Sequence, residues 1–113
     1  MEIGQGIRQG DVLLIKVDKL PERVREAPRD TSGRLVLEYG EVTGHAHAIL
    51  ERNAVKYDIL DAAERIVGQA LVVEDAPVTL THEEHGAHTI EPGIYQRWYQ
   101  VDYDGEEERR VAD

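Results

Sequence analysis

Short apolar runs, built mainly from β-branched residues and leucine, recur along this chain and are broken by Gly, Pro, Asp and Asn. Several runs alternate polar with apolar residues, as strands do when one face packs on a core and the other meets solvent. The pattern predicts strands over residues 11–17, 34–39, 41–51, 54–60, 69–74, 77–81 and 94–103. Short strands at this spacing favour an all-β fold, either a small antiparallel barrel or a sandwich.

Three stretches depart from this alternation. We predict a charged loop or short helix at about 20–33 and a helical turn at 61–66, because both stretches mix charged residues with alanine. Residues 106–113 are predicted to form a terminal helical turn or a frayed end. A chain of 113 residues is long enough for one core and too short for two. We therefore expect a single β-rich domain over residues 1–113.

The composition excludes several classes of partner and site. The 23 acidic and 13 basic residues give a formal net charge of -10, which repels nucleic acids and anionic membranes. Because cysteine is absent, disulfides and thiolate metal ligands are excluded. The first residues lack the pattern of a signal peptide, and no apolar run approaches the ~20 residues that span a bilayer. We expect a soluble, cytoplasmic protein that binds neither nucleic acid nor membrane.

All five histidines fall in two short clusters, with His45 and His47 in the first and His82, His85 and His88 in the second. Side chains two residues apart on a strand project from the same face, so the first pair would point together. The spacing of three in the second cluster fits a tight turn. It does not match the helix of zinc proteases, whose histidines are four residues apart.

Gathered imidazole nitrogens most commonly serve a divalent transition metal, here zinc, iron, nickel or manganese. The predicted ligands are His45, His47, His82 and His85, with His88, Glu51 and Glu83 as second choices. Three ligands and one water would leave the open position that a catalytic metal needs. Such a site supports an enzyme in which metal-activated water attacks a small substrate. Glu83 is the predicted catalytic base, and either Glu83 or Glu84 suits the orientation of an imidazole.

A non-catalytic interpretation stays open beside this one. The histidines would then line a subunit interface of an oligomeric module, or form a cluster that senses pH near six to seven. Within residues 94–103 the alternation places Trp98 on one face of the strand and Tyr95 and Tyr99 on the other. One aromatic face is then available for a pocket or a subunit contact, and we expect a homo-oligomer.

The spacing His45-x-His47-x-x-x-Glu51 resembles the first motif of the cupins, small β-barrels that often bind a metal through two histidines, a glutamate and a later histidine. This resemblance implies that these three residues are ligands. It also implies that His82, His85 or His88 completes the set.

The chain as a whole is similar to small bacterial proteins of unassigned function. The shared segments are Arg-Gln-Gly-Asp-Val-Leu-Leu at 8–14, Gly-Glu-Val-Thr-Gly-His-Ala-His at 40–47 and Leu-Thr-His-Glu-Glu-His at 80–85. This resemblance implies a stand-alone single domain and brings no activity with it.

Overall fold

The computed structural model describes residues 1–40, 44–104 and 107–111, with side chains described up to Tyr99. Every regular element in these ranges is a strand. The strands are β1 (Gly6–Gln9), β2 (Val12–Val17), β3 (Val24–Ala27), β4 (Leu35–Tyr39), β5 (Ala46–Ile49), β6 (Ala54–Leu60), β7 (Ile66–Val73), β8 (Val78–Thr81), β9 (His88–Ile90), β10 (Gly93–Trp98), β11 (Gln100–Asp104) and β12 (Glu107–Val111).

The strands form two main antiparallel sheets. A six-stranded sheet has the order β1-β2-β10-β7-β6-β3, a four-stranded sheet has the order β4-β5-β8-β9, and β11 pairs with β12 in a separate ribbon. The larger sheet ends at β1 and β3, so it is open and not closed into a barrel. The all-β prediction is confirmed, and of its two forms the sandwich fits.

The core lies between the two sheets because each contributes the apolar half of its alternation. Leu14, Leu71 and Tyr95 come from the larger sheet and pack in one buried cluster with Leu35 and Leu80 of the smaller sheet. Fully burying an aliphatic side chain of this size contributes roughly 1.5–3 kcal/mol. The hydroxyl of Tyr95 is satisfied inside this packing, since it donates to the carbonyl oxygen of Glu91 at 2.7 Å.

The segment at about 20–33 contains a strand, which corrects the prediction of a charged loop or short helix. β3 pairs with β6 along the edge of the larger sheet, with Arg25 opposite Asp58. Their side chains lie 3.8 Å apart, and Arg25 is exposed. An edge strand tolerates charged residues because one side of it meets solvent. For this reason the charge pattern of β3 resembles that of a loop.

The other two stretches predicted as helical turns, 61–66 and 106–113, do not form helices in their described residues. Residues 61–66 form a tight turn in which the Asp61 carboxylate accepts hydrogen bonds from the backbone N–H groups of Ala63 and Arg65, both at 2.9 Å. β7 then begins at Ile66. The C-terminal stretch forms β12 over 107–111, while residues 106, 112 and 113 lie outside the described residues.

Strand boundaries were predicted well where alternation is regular. β6 covers the predicted residues 54–60 fully, whereas the strand predicted at 94–103 is divided between β10 and β11. The strand predicted at 41–51 is β5 at 46–49, and residues 41–43 lie outside the described residues. Within the part of the chain that the structure describes, no helix has the length and apolar character needed to cross a membrane.

Candidate metal centre

Four of the five histidines meet at one end of the sandwich. The ring centroids of His47 and His82 are 4.2 Å apart, and those of His82 and His85 are 4.7 Å apart. The His47 and His85 rings are parallel within 8° at 5.9 Å, and His45 lies 6.2 Å from His82. The two sequence clusters therefore converge, as predicted from their spacing.

Antiparallel pairing explains this convergence. Ala48 of β5 lies opposite Thr81 of β8, so the beginning of β5 and the end of β8 are at the same end of the sheet. His47 lies on β5 and is 5% exposed, while His82 follows β8 directly and is 7% exposed. The first cluster thus meets the second without any long excursion of the chain.

The turn between β1 and β2 closes the cluster from the larger sheet. Gly10 has a positive φ of 57°, and a Cβ built at this position would lie 2.8 Å from both Cδ2 and Nε2 of His85. Its nearest atom on His47 would be Cε1 at 3.3 Å. Only glycine combines this backbone conformation with so close an approach to the rings.

Gln9 fixes the protonation of the most buried ring. Its side-chain N–H₂ donates to the carbonyl oxygens of Leu80 at 3.0 Å and Gly86 at 2.5 Å. The amide oxygen therefore remains as the acceptor for Nδ1–H of His47, at 2.8 Å. The neutral His47 ring then carries its proton on Nδ1 and keeps a lone pair on Nε2. This arrangement is typical of the outer partners that orient metal-binding histidines.

His82 has the opposite arrangement. Its Nδ1 accepts the backbone N–H of Glu84 at 3.0 Å, so a neutral ring carries its proton on Nε2. In this orientation His82 offers a donor and no free lone pair. Consistent with this, no three histidine or carboxylate side chains in the described ranges are arranged as a metal ligand set.

The surroundings keep His47 uncharged. Burial, together with the nearby His82, His85 and Arg97, lowers the pKa of His47 from 6.5 to about 4, against an opposing effect of Glu38. Glu38 lies opposite His47 in the ladder, next to a bulge that begins at Val36. A neutral imidazole is the form that a metal requires.

A buried arginine lies beside this histidine. Arg97 is 3% exposed and donates to Glu38 Oε1 at 2.7 Å and to Leu37 O and Gln69 Oε1, both at 3.2 Å. These bonds tie β10 and β7 of the larger sheet to β4 of the smaller one. The sequence analysis missed Arg97 and Gln9, although both occupy inward positions of their strands.

The predicted catalytic carboxylate holds the second cluster against β5. Glu83 Oε1 accepts the backbone N–H of Ala46 at 2.9 Å, and Glu84 Oε2 lies 3.2 Å from Nδ1 of His45. Hydrogen bonds from the N–H groups of Ala46 and of Glu83 itself lower the pKa of Glu83, with smaller contributions from His45 and His82. Glu83 is therefore ionised at neutral pH. A catalytic role for it stays a prediction.

Glu51 and His88 occupy other positions. The Glu51 carboxylate accepts the backbone N–H of Thr79 at 2.9 Å, beyond the far end of β5 from the cluster. His88 begins β9 opposite Leu80. Among the ring contacts between described residues, none joins His88 to the other four histidines.

Residues 8–100 match the model of a family described as a domain of unknown function (DUF8820), and the chain belongs to this family. The matched range includes both histidine clusters, the β1–β2 turn and Arg97. No curated protein and no solved structure is significantly similar to the chain.

Proposed function

We propose that this DUF8820 protein binds one divalent transition metal ion through His45, His47, His82 and His85. The observation that carries the proposal is the hydrogen bond from His47 Nδ1 to Gln9 Oε1, because it leaves Nε2 free to bind a metal. Nitrogen ligands without thiolates suit zinc, iron or nickel, and a site completed by carboxylate or water suits manganese.

The spacing of the rings supports this assignment. Imidazoles around one tetrahedral zinc ion, with Zn–N distances of about 2.0–2.1 Å, have ring centroids about 5 Å apart. The four observed distances range from 4.2 to 6.2 Å. Binding would require His82 to turn its ring and release the N–H of Glu84.

The site suits catalysis as well as binding. His85 is exposed and His45 is half-buried, so one side of the proposed metal faces solvent. If three of these four histidines bind the metal, a water molecule completes the coordination and its pKa is lowered by the metal. We therefore extend the proposal to metal-activated attack of water on a small substrate, in a cytoplasmic protein.

Metal content measured by elemental mass spectrometry on tag-free protein tests this proposal. We expect about one metal ion per chain, lost when His47→Ala and His85→Ala are combined. The control His88→Ala removes a histidine outside the cluster and should keep the metal. Cobalt(II) added to metal-free protein should give the visible absorption of a tetrahedral site. A protein that stays metal-free with zinc, iron, nickel and manganese supplied in turn would refute the proposal.

The alternative is a non-catalytic module whose histidines serve an interface or sense pH. Burial of His47 supports a pH sensor near neutrality less well, because a ring with a pKa of about 4 does not titrate there. The metal measurement separates the two functions. Metal-free protein with intact assembly would favour the module.

A further inference from the structure

The side of the six-stranded sheet that points away from the core carries a row of apolar residues. Residues paired across a ladder lie on the same face. Val17, Ile94, Val72 and Val55 follow one another in this way across β2, β10, β7 and β6. All four are partly exposed. A sheet that faces water normally places polar residues on that face, so this row marks a surface suited to contact with another protein.

Trp98 extends this surface toward the β1–β2 turn. Its side chain is 55% exposed, and its ring lies over Gly68, where a built Cβ would be 3.3 Å from Cε3. The β2–β10 ladder ends at the Ile15–Gln96 pair. Beyond that pair lies a cavity of about 450 Å³, with Leu13, Ile15 and Trp98 in its lining. We call this cavity and the apolar row the outer face.

Two opposite charges line the same cavity. Arg8 and Asp11 are both exposed, and neither forms an ion pair with any residue whose side chain is described. In a twofold contact the same patch meets itself, so Arg8 of one copy would lie near Asp11 of the second copy. A patch with one exposed charge of each sign is self-complementary. The net charge of -10 would otherwise keep two copies apart.

We propose that the outer face is the interface of a homodimer of this chain. The apolar rows pack sheet against sheet, each Trp98 lies against the cavity of the other copy, and two Arg8–Asp11 pairs close one end. Four strands at ~4.8 Å span about 20 Å across the sheet, and three rows of alternate residues span about 15 Å along it. The middle row contains the polar Gln96 beside Ile15, so the apolar area consists of the row through Ile94 and the cavity end near Trp98. A patch of this total extent is at the size at which exposed patches are commonly functional. The inference does not depend on the metal.

Sedimentation equilibrium of the full chain tests the apolar part. We expect twice the monomer mass for the wild type at micromolar concentrations and the monomer mass for Val72→Lys. The matched control is Thr89→Lys, an exposed position on β9 of the other sheet, which should remain dimeric. Circular dichroism verifies that each variant is folded. A wild type that is monomeric at about 500 µM, or a folded Val72→Lys that is still dimeric, would overturn the proposal, and the face would then belong to another partner.

Charge exchange tests the twofold arrangement without introducing charge into the apolar row. Arg8→Asp and Asp11→Arg should each raise the dimer Kd more than tenfold, and the double variant should return it to within threefold of the wild type. Single variants that keep the wild-type dimer Kd, or a double variant whose Kd stays as high as that of the single variants, would overturn the arrangement. Trp98 is the only tryptophan, so its emission should shift to the red as dilution separates the dimer. Emission that is constant through the dissociation would exclude it from the interface.

Discussion

Gln9 has a structural role that its residue type alone does not predict, since it links His47 to two distant backbone carbonyl groups. The grouping of the histidines was predicted because all five fall in two short clusters, whereas the pairing of β5 with β8 that brings the clusters together was not predicted. Gln9 gave no comparable signal, since a glutamine before a turn is ordinary. Its partners at Leu80 and Gly86 are more than 70 residues away along the chain. A contact so distant in sequence depends on how the two sheets pack.

Replacement of Gln9 tests its effect on His47. Gln9→Leu removes the acceptor for Nδ1–H and leaves two carbonyl groups without their donor, so we expect about 1–3 kcal/mol of lost stability. If His47 binds metal, the affinity should also fall about 10- to 100-fold. Gln5→Leu makes the same change at an exposed position and serves as the control. Denaturant unfolding and competition with a metal chelator give the two values. Unchanged affinity in the leucine variant would separate Gln9 from the metal site.

Gly10 offers a second residue-level test. Gly10→Ala places a methyl group 2.8 Å from the His85 ring, in addition to the strain of a positive φ. Gly33 also has a positive φ, of 87°, but no atom lies within 4 Å of a Cβ built there. Gly33→Ala is therefore a control that introduces the backbone strain without the contact. We expect both to lose about 1–2 kcal/mol from strain. Only Gly10→Ala should weaken metal binding and shift the NMR signals of His85. Equal effects of the two substitutions would contradict this contact.

At the scale of elements, the alternation of polar and apolar residues predicted β2, β4, β6 and β8. Burial alternates along the first part of β2 and along β8, whereas β4 begins with three consecutive buried residues. β3 was missed because its exposed edge position permits charges such as Arg25 and Glu26. β1 and β9 are short, with four and three residues, and a period of two is hard to detect over so few positions. The position of the histidine cluster follows from the pairing of β5 with β8, and periodicity alone does not specify which strands pair.

The carboxylate of Glu83 holds loop 82–87 against β5, and this contact can be tested separately. Glu83→Gln weakens the acceptor for the Ala46 N–H by removing its charge. We expect amide exchange at Ala46 to accelerate by about tenfold or more as the start of β5 opens locally. Glu84→Gln is the control, because its carboxylate contacts a histidine ring and not this amide. Equal exchange rates in the two variants would argue against the fastening.

For the whole molecule, the buried neutral His47 predicts how stability depends on pH in the metal-free protein. Its pKa is about 4 when folded, against an ordinary value of 6.5, so the unfolded chain binds more protons between these values. The free energy of unfolding should therefore fall by about 2 kcal/mol as the pH falls from 7 to 5. Asp30, whose pKa is lowered to about 2, acts in a separate window below its usual 3.8. Thermal unfolding of the wild type and of His47→Gln, both with chelator, measures the difference. A wild type whose pH dependence above pH 5 equals that of the variant would show that His47 is not held neutral by the fold.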